Sequence, residues 1–152
     1  MKINHPTFKD ARGSFTAINS KLMDKDWEQF NVSINNDKYT FRGLHYQTNP
    51  PQTKCIKVVK GKILDIWVDL KTKEVFQFEL DNSEFLYVPD NYAHGYLTLT
   101  ENTVVTYLVK GEYNPESEHS MVWNTNVEVK NIIDSYTKGS TIHISDKDRN
   151  GK

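Results

Sequence analysis

Within FRGLHYQTNPPQTK, residues 41–54, stand Arg42, His45, Gln47, Gln52 and Lys54, where a half-buried strand would alternate apolar with polar side chains. An imidazole that titrates near neutrality suits a general base, and an ammonium nearby suits the stabilisation of a developing oxyanion. A second histidine, His94, lies in VPDNYAHGYLTL, and Tyr107 follows thirteen residues later in TVVTYLV. Each of these has a structural reading of its own. A strand-edge histidine is commonly a satisfied structural group, and a tyrosine inside a barrel is commonly core with its hydroxyl tied off.

Metal chemistry is disfavoured by the ligand count. A metal site needs three or four closely spaced N, O or S ligands, whereas RGLHYQ supplies one histidine without an HxH partner. Cys55, the single cysteine, cannot form an internal disulfide and sits in an apolar-periodic run, which predicts a buried structural thiol and fits a reducing compartment.

Strands must carry these residues. In extended chain Arg42, Leu44 and Tyr46 share one face and Gly43, His45 and Gln47 the other, and Pro50-Pro51 interrupts pairing before a run that starts at Lys54, a spacing that allows Lys54 to return beside His45 without requiring it. KCIKVVKGKILDIWVDL reads as two strands joined as a hairpin at Lys60-Gly61, with Leu64, Ile66, Val68 and Leu70 opposite Ile63, Asp65, Trp67 and Asp69. VFQFEL, EFLYVP, GYLTL, TVVTYLVKG and SMVWN follow as further strands separated by turn-rich pieces, the rhythm of a sandwich or barrel. A hairpin at Thr100-Glu101-Asn102 would bring His94 and Tyr107 into one interior. Helical signals are weak, at LMDKDWEQF and NIIDSY, and the polar SDKDRNGK reads by itself as a frayed tail.

With 152 residues the chain fits one domain, 1–152, able to bury roughly two thirds of its unfolded surface. Lys plus Arg count 19 against 20 for Asp plus Glu, a net charge of −1, so no global field collects nucleic acid or an anionic membrane and any anion site is local. The N-terminus MKINHPTFKDARGSF has no apolar signal-peptide region and no stretch is apolar enough to span a bilayer, so a soluble, cytoplasmic protein is expected.

RGLHYQ…PPQTK, KGKILDIWVDL, YVPDNYAHGYLTL, TYLVKGEYNPESE and VWN, in this order and at these intervals, resemble the dTDP-4-dehydrorhamnose 3,5-epimerase family from about Asp10 to Asp148. The resemblance implies an all-β, cupin-type jelly-roll barrel with short peripheral helices, working as a homodimer without cofactor or metal. It also implies epimerisation of a nucleotide-linked 4-keto-6-deoxy sugar beside its ketone. Residue by residue it makes His45 the general base, Asp148 the carboxylate that orients it, Lys54 the cation at the enolate oxygen and Tyr107 the general acid on the opposite face. By the same resemblance His94 lies beside the sugar, Arg42 faces the diphosphate or sugar, and Arg12 touches the nucleotide from a partner subunit. Gln29 and Asn31 match nucleotide contacts, and Tyr113, Glu118 and Lys147 match further positions lining the site.

A carbon-bound proton beside a ketone is acidic because the charge left behind delocalises onto oxygen, and inversion requires the new proton to come from the other side. A tyrosine, protonated at pH 7, suits that donor. The chain departs from the family where Ala17 replaces an acid that helps hold the nucleotide base and where Thr125 replaces an Asp, and it closes soon after Asp148. Alternatives are a GDP- or CDP-linked epimerase, a 3,4-ketoisomerase, or a non-catalytic sugar-nucleotide binding module.

Overall fold

The computed structural model describes residues 7–19, 27–83 and 85–151. Eleven strands follow in chain order: β1 (Thr7–Asp10), β2 (Gly13–Asn19), β3 (Gln29–Asn35), β4 (Phe41–Gln47), β5 (Thr53–Lys60), β6 (Ile63–Asp69), β7 (Val75–Leu80), β8 (Phe85–Val88), β9 (Tyr92–Thr98), β10 (Thr103–Lys110) and β11 (Glu118–Ser120). A 3₁₀ turn at Trp123–Thr125, helix α1 (Val127–Thr137) and the short helix α2 (Asp146–Asn150) complete the described chain. The strands form two antiparallel sheets, one ordered β1-β2-β3-β10-β5-β8 and the other β11-β4-β9-β6-β7. From β3 to β10 the chain winds as a jelly roll, β3-β10-β5-β8 facing β4-β9-β6-β7.

The strand signals of the sequence are realised with changed partners. Leu64, Ile66 and Val68 of β6 enter one buried cluster, with Phe41, Leu97, Val129 and Ile133, on the side of the sheet that α1 covers. Ile63 and Trp67 turn the other way and pack with Ile56, Val58, Val88 and Val105 between the two sheets. Alternation therefore predicts the faces of β6. It does not predict its neighbours: β5 pairs with β10 and β8, while β6 pairs with β7 and β9, so the chain at Lys60-Gly61 crosses between sheets instead of closing a hairpin. The same correction applies at Thr100–Asn102, where β9 and β10 belong to different sheets. Period is a local property, whereas pairing is decided by which faces must be buried together.

Three local expectations also change. SMVWN is not a strand, because β11 ends at Ser120 and the 3₁₀ turn begins at Trp123. NIIDSY is the C-terminal part of the longer α1, capped by the Asn126 side chain accepting from the Val129 N–H and closed by Lys138 in the left-handed region. Of LMDKDWEQF, residues 22–26 lie outside the described residues, and Gln29 and Phe30 open β3. The tail is α2: the Ser145 hydroxyl accepts from the Asp148 N–H at its start, and Gly151 closes it with φ 73°.

Candidate active site

At one end of the space between the sheets the apolar filling gives way to a cavity of about 730 Å³. The six-stranded sheet contributes Gln29 and Asn31 from β3, Lys54 from β5, Tyr107 from β10, and Arg12 at the β1–β2 turn. The five-stranded sheet contributes Arg42 and His45 from β4 and Glu118 from β11, and Asp148 and Lys147 come from α2. Tyr113 stands at the exposed rim. Eleven of the twelve residues to which the resemblance gives a role thus line one cavity.

His94 is the exception. Its imidazole is buried, with Nε2 2.8 Å from Asp65 Oδ2, while Trp67 donates its indole N–H to Asp65 Oδ1 at 2.6 Å. His94 does not line the cavity, so its expected place beside the sugar is not what the structure displays. The buried carboxylate of Asp65 holds the ring instead, which is the structural reading of a barrel histidine.

Strand β4 also departs from strict alternation. Arg42, His45 and Tyr46 all line the cavity, because the register of β4 against β9 shifts between Arg42 and His45. Gly43 makes this possible with φ +132°, its α-carbon so close to β9 that an added Cβ would lie 2.5 Å from Gly95 Cα. Gln47, by contrast, is a structural tie, buried and donating to the carbonyls of Pro50 and Glu112. Lys54 lines the same cavity as His45, but from the opposite sheet.

The His45 ring stands 2.6 Å through Nε2 from Asp148 Oδ1. Asp148 Oδ2 accepts from the Gly43 N–H at 3.2 Å and lies 3.4 Å from the Arg12 guanidinium. Burial alone would raise the Asp148 carboxyl; the His45 hydrogen bond and charge, the Gly43 N–H and Arg12 outweigh it and hold the acid below its usual range. With Nε2–H donated to this carboxylate, Nδ1 is the basic nitrogen of the imidazole. Arg12 is held by its own chain, donating through Nε to Asp10 Oδ2 at 2.9 Å, so it reaches the cavity without the partner subunit that the resemblance supplied.

Across the cavity, burial lowers the Lys54 ammonium to about 8, with the Glu118 and Asp65 charges opposing the shift. Burial, reinforced by Tyr96, pushes the Tyr107 phenol well above its ordinary value despite Arg42 nearby, so it keeps its proton at neutral pH. Tyr107 faces Asn31 across the β3–β10 pair and packs beside Phe15, ring centroids 6.4 Å apart. Glu118 accepts from the Tyr113 hydroxyl at 3.0 Å and pairs with Lys147 at 3.2 Å, tying rim to tail. Among the described residues no group of three or more His, Cys, Asp or Glu side chains is arranged to hold a metal ion.

Sequence reasoning passed over several lining residues, among them Asp10, Phe15, Tyr46 and Ser145. One carried a readable signal: Ser145-Asp-Lys-Asp148 is a Ser-x-x-acid N-cap pattern, which marks a helix start where the tail reads as frayed.

The family described as dTDP-4-dehydrorhamnose 3,5-epimerase matches residues 1–152. A Neisseria gonorrhoeae protein named dTDP-4-dehydrorhamnose 3,5-epimerase is 33% identical over 130 residues, which span 77% of this chain and only 39% of that protein. A crystal structure of the Bacillus anthracis dTDP-4-dehydrorhamnose 3,5-epimerase, with TDP and PPi bound, superposes with a TM-score of 0.70 at 33% identity, covering 97% of this chain and 90% of the other. The Legionella pneumophila dTDP-6-deoxy-D-glucose-3,5-epimerase, in complex with dTDP-4-keto-L-rhamnose, gives a TM-score of 0.71 at 26% identity, covering 97% and 84%.

Proposed function

Because this chain belongs to the dTDP-4-dehydrorhamnose 3,5-epimerase family, whose named members are isomerases, we propose that it inverts C3, C5 or both in a nucleotide-diphosphate 4-keto-6-deoxy hexose. The product would serve deoxysugar supply for a surface polysaccharide. The observation that supports this reading is that His45 and Tyr107 line one cavity from opposite sheets.

In this reading Nδ1 of His45 takes the proton from the carbon beside the ketone, and the electron pair of the broken C–H bond moves into the enolate. The Lys54 ammonium holds the charge on the enolate oxygen. Asp148 orients the imidazole and supports the imidazolium. Tyr107 then gives its proton to the opposite face of the same carbon, and the C=O reforms. Each proton-transfer group of this kind contributes about 10²- to 10⁴-fold. Arg42 is the cation facing the diphosphate or sugar, Arg12 touches the nucleotide, Gln29 and Asn31 are the amides nearest the nucleotide, and Tyr113, Glu118 and Lys147 shape the rim. The catalytic unit in this reading is one domain spanning 1–152, working in the cytoplasm as a homodimer without cofactor.

Incubation with dTDP-4-keto-6-deoxyglucose in D₂O tests the proposal. Deuterium at C3 and C5 is expected, and label at one carbon alone indicates a monofunctional enzyme. Because Ala17 lines the cavity in place of an acid, the same measurement with GDP- and CDP-linked keto sugars decides the nucleotide. No label with any of them removes the epimerase assignment and leaves a binding module.

A further inference from the structure

We propose that Asn35 is a positioning residue that aims the Arg42 guanidinium at the cavity without pairing it directly with a carboxylate, so that its charge serves an anionic ligand. The inference rests on the reading of the cavity as a nucleotide-diphosphate site. Arg42 stands on β4, opposite Tyr96 of β9, whereas Asn35 is fully buried on β3 in the other sheet. Arg42 donates through Nε to Asn35 Oδ1 at 2.8 Å. Nη2 of the same guanidinium is buried with no partner among the described residues, and Arg42 lines the cavity. A buried cationic N–H without an acceptor is costly, and no carboxylate among the described residues is within salt-bridge distance of this guanidinium.

The direction of the Asn35 amide follows from its surroundings. Its NH₂ group lies 3.2 Å from the Thr103 carbonyl, 3.3 Å from the Tyr96 hydroxyl and 3.4 Å from the Ser33 hydroxyl, and those two hydroxyls are 2.7 Å apart. With the NH₂ end committed to these acceptors, Oδ1 is the end that meets Arg42. A reversed amide would set N–H against N–H. The cluster of Ser33, Asn35 and Tyr96 is uncharged and spans both sheets. Arg12 offers the contrast, since carboxylates of Asp10 and Asp148 flank it. A carboxylate at position 35 would hold Nε of Arg42 in the same place, but it would also cancel part of the charge presented to the ligand. A neutral amide supplies the geometry without that cancellation.

Asn35→Asp, nearly isosteric, separates the two effects. Calorimetric titration with inorganic pyrophosphate is expected to show affinity weakened about ten- to a hundredfold relative to wild type. On a turned-over keto sugar, KM should rise while kcat stays within about threefold, since the interaction lost is one made equally in ground and transition states. A merely structural role would lower thermal stability without this split. Asn35→Asp that folds and binds pyrophosphate as tightly as wild type overturns the inference. Absence of pyrophosphate binding by wild type overturns it together with the diphosphate reading. Wild type that binds pyrophosphate yet exchanges no keto sugar removes only the epimerase reading. Should Asn35→Asp fail to fold, ¹⁵N NMR of the wild type decides: the Arg42 Nε–H signal should be protected from solvent exchange and unmoved by pyrophosphate while the Nη signals shift. An unprotected Nε–H contradicts the assignment.

Discussion

Lys54 shows how the barrel changes a side chain's chemistry. Its ammonium, with an ordinary value near 10.4 in water, is brought to about 8 by burial in the cavity wall. If the protonated amine stabilises the enolate, kcat/KM should fall as pH rises through about 8. Lys54→Arg, charged throughout the accessible range, should lack that descending limb even if its overall rate is lower. An unchanged limb in Lys54→Arg would assign it to another group. The linked effect on stability has the opposite sense: between about 8 and the ordinary lysine value the unfolded chain binds a proton that the folded chain lacks. The Lys54 contribution to stability therefore rises with pH across that window. At this scale the sequence was most legible, because an imidazole, an ammonium and a phenol have fixed chemical aptitudes. His94 was the residue it could not place. Nothing in the spacing of His94 and Asp65 reveals that the carboxylate buries the ring, because their contact joins neighbouring strands distant in sequence.

Strand β4 is where element geometry and chemistry meet. Gly43 lets Arg42, His45 and Tyr46 all reach the cavity, at a φ of +132° and with no room for a β-carbon against Gly95. Gly43→Ala should therefore cost about 2 kcal/mol or more of stability, read by chemical denaturation, and should reduce activity beyond what the lost stability explains. A Gly43→Ala protein of wild-type stability and rate would mean that the register shift does not depend on this glycine. The faces of β6 and the extents of β7 and β10 were readable because side-chain alternation is written locally. The crossings after β5 and β9 were not, since a Gly or Asn turn looks alike whether it closes a hairpin or carries the chain to the facing sheet. Helix α2 hid behind its polarity: its short run needs no apolar stripe, only the Ser145 cap and burial of Asp148.

On the whole molecule the two sheets have unequal outer faces. Helix α1 covers the five-stranded sheet through Val129 and Ile133, whereas the six-stranded sheet exposes Ile34, Val59, Phe85 and Tyr87. Tyr87 lies across from Cys55 in the β5–β8 pair, and Val59 continues the same face of β5. A second copy seated there is the form in which the proposed homodimer would bury this surface. Sedimentation of the wild type should give a dimer, and the double variant Val59→Lys, Tyr87→Glu should give a folded monomer. A monomeric wild type would contradict the dimer, and a variant that remains dimeric would move the interface elsewhere. No described helix is long and apolar enough to cross a membrane. The central claim concerns the cavity between the sheets that His45 and Tyr107 line, and the most direct measurement is proton exchange resolved from inversion. With the keto sugar in D₂O, Tyr107→Phe should still wash deuterium into the sugar while losing net epimerisation, and His45→Ala should do neither. Full turnover by His45→Ala, or undiminished inversion by Tyr107→Phe, would contradict the account.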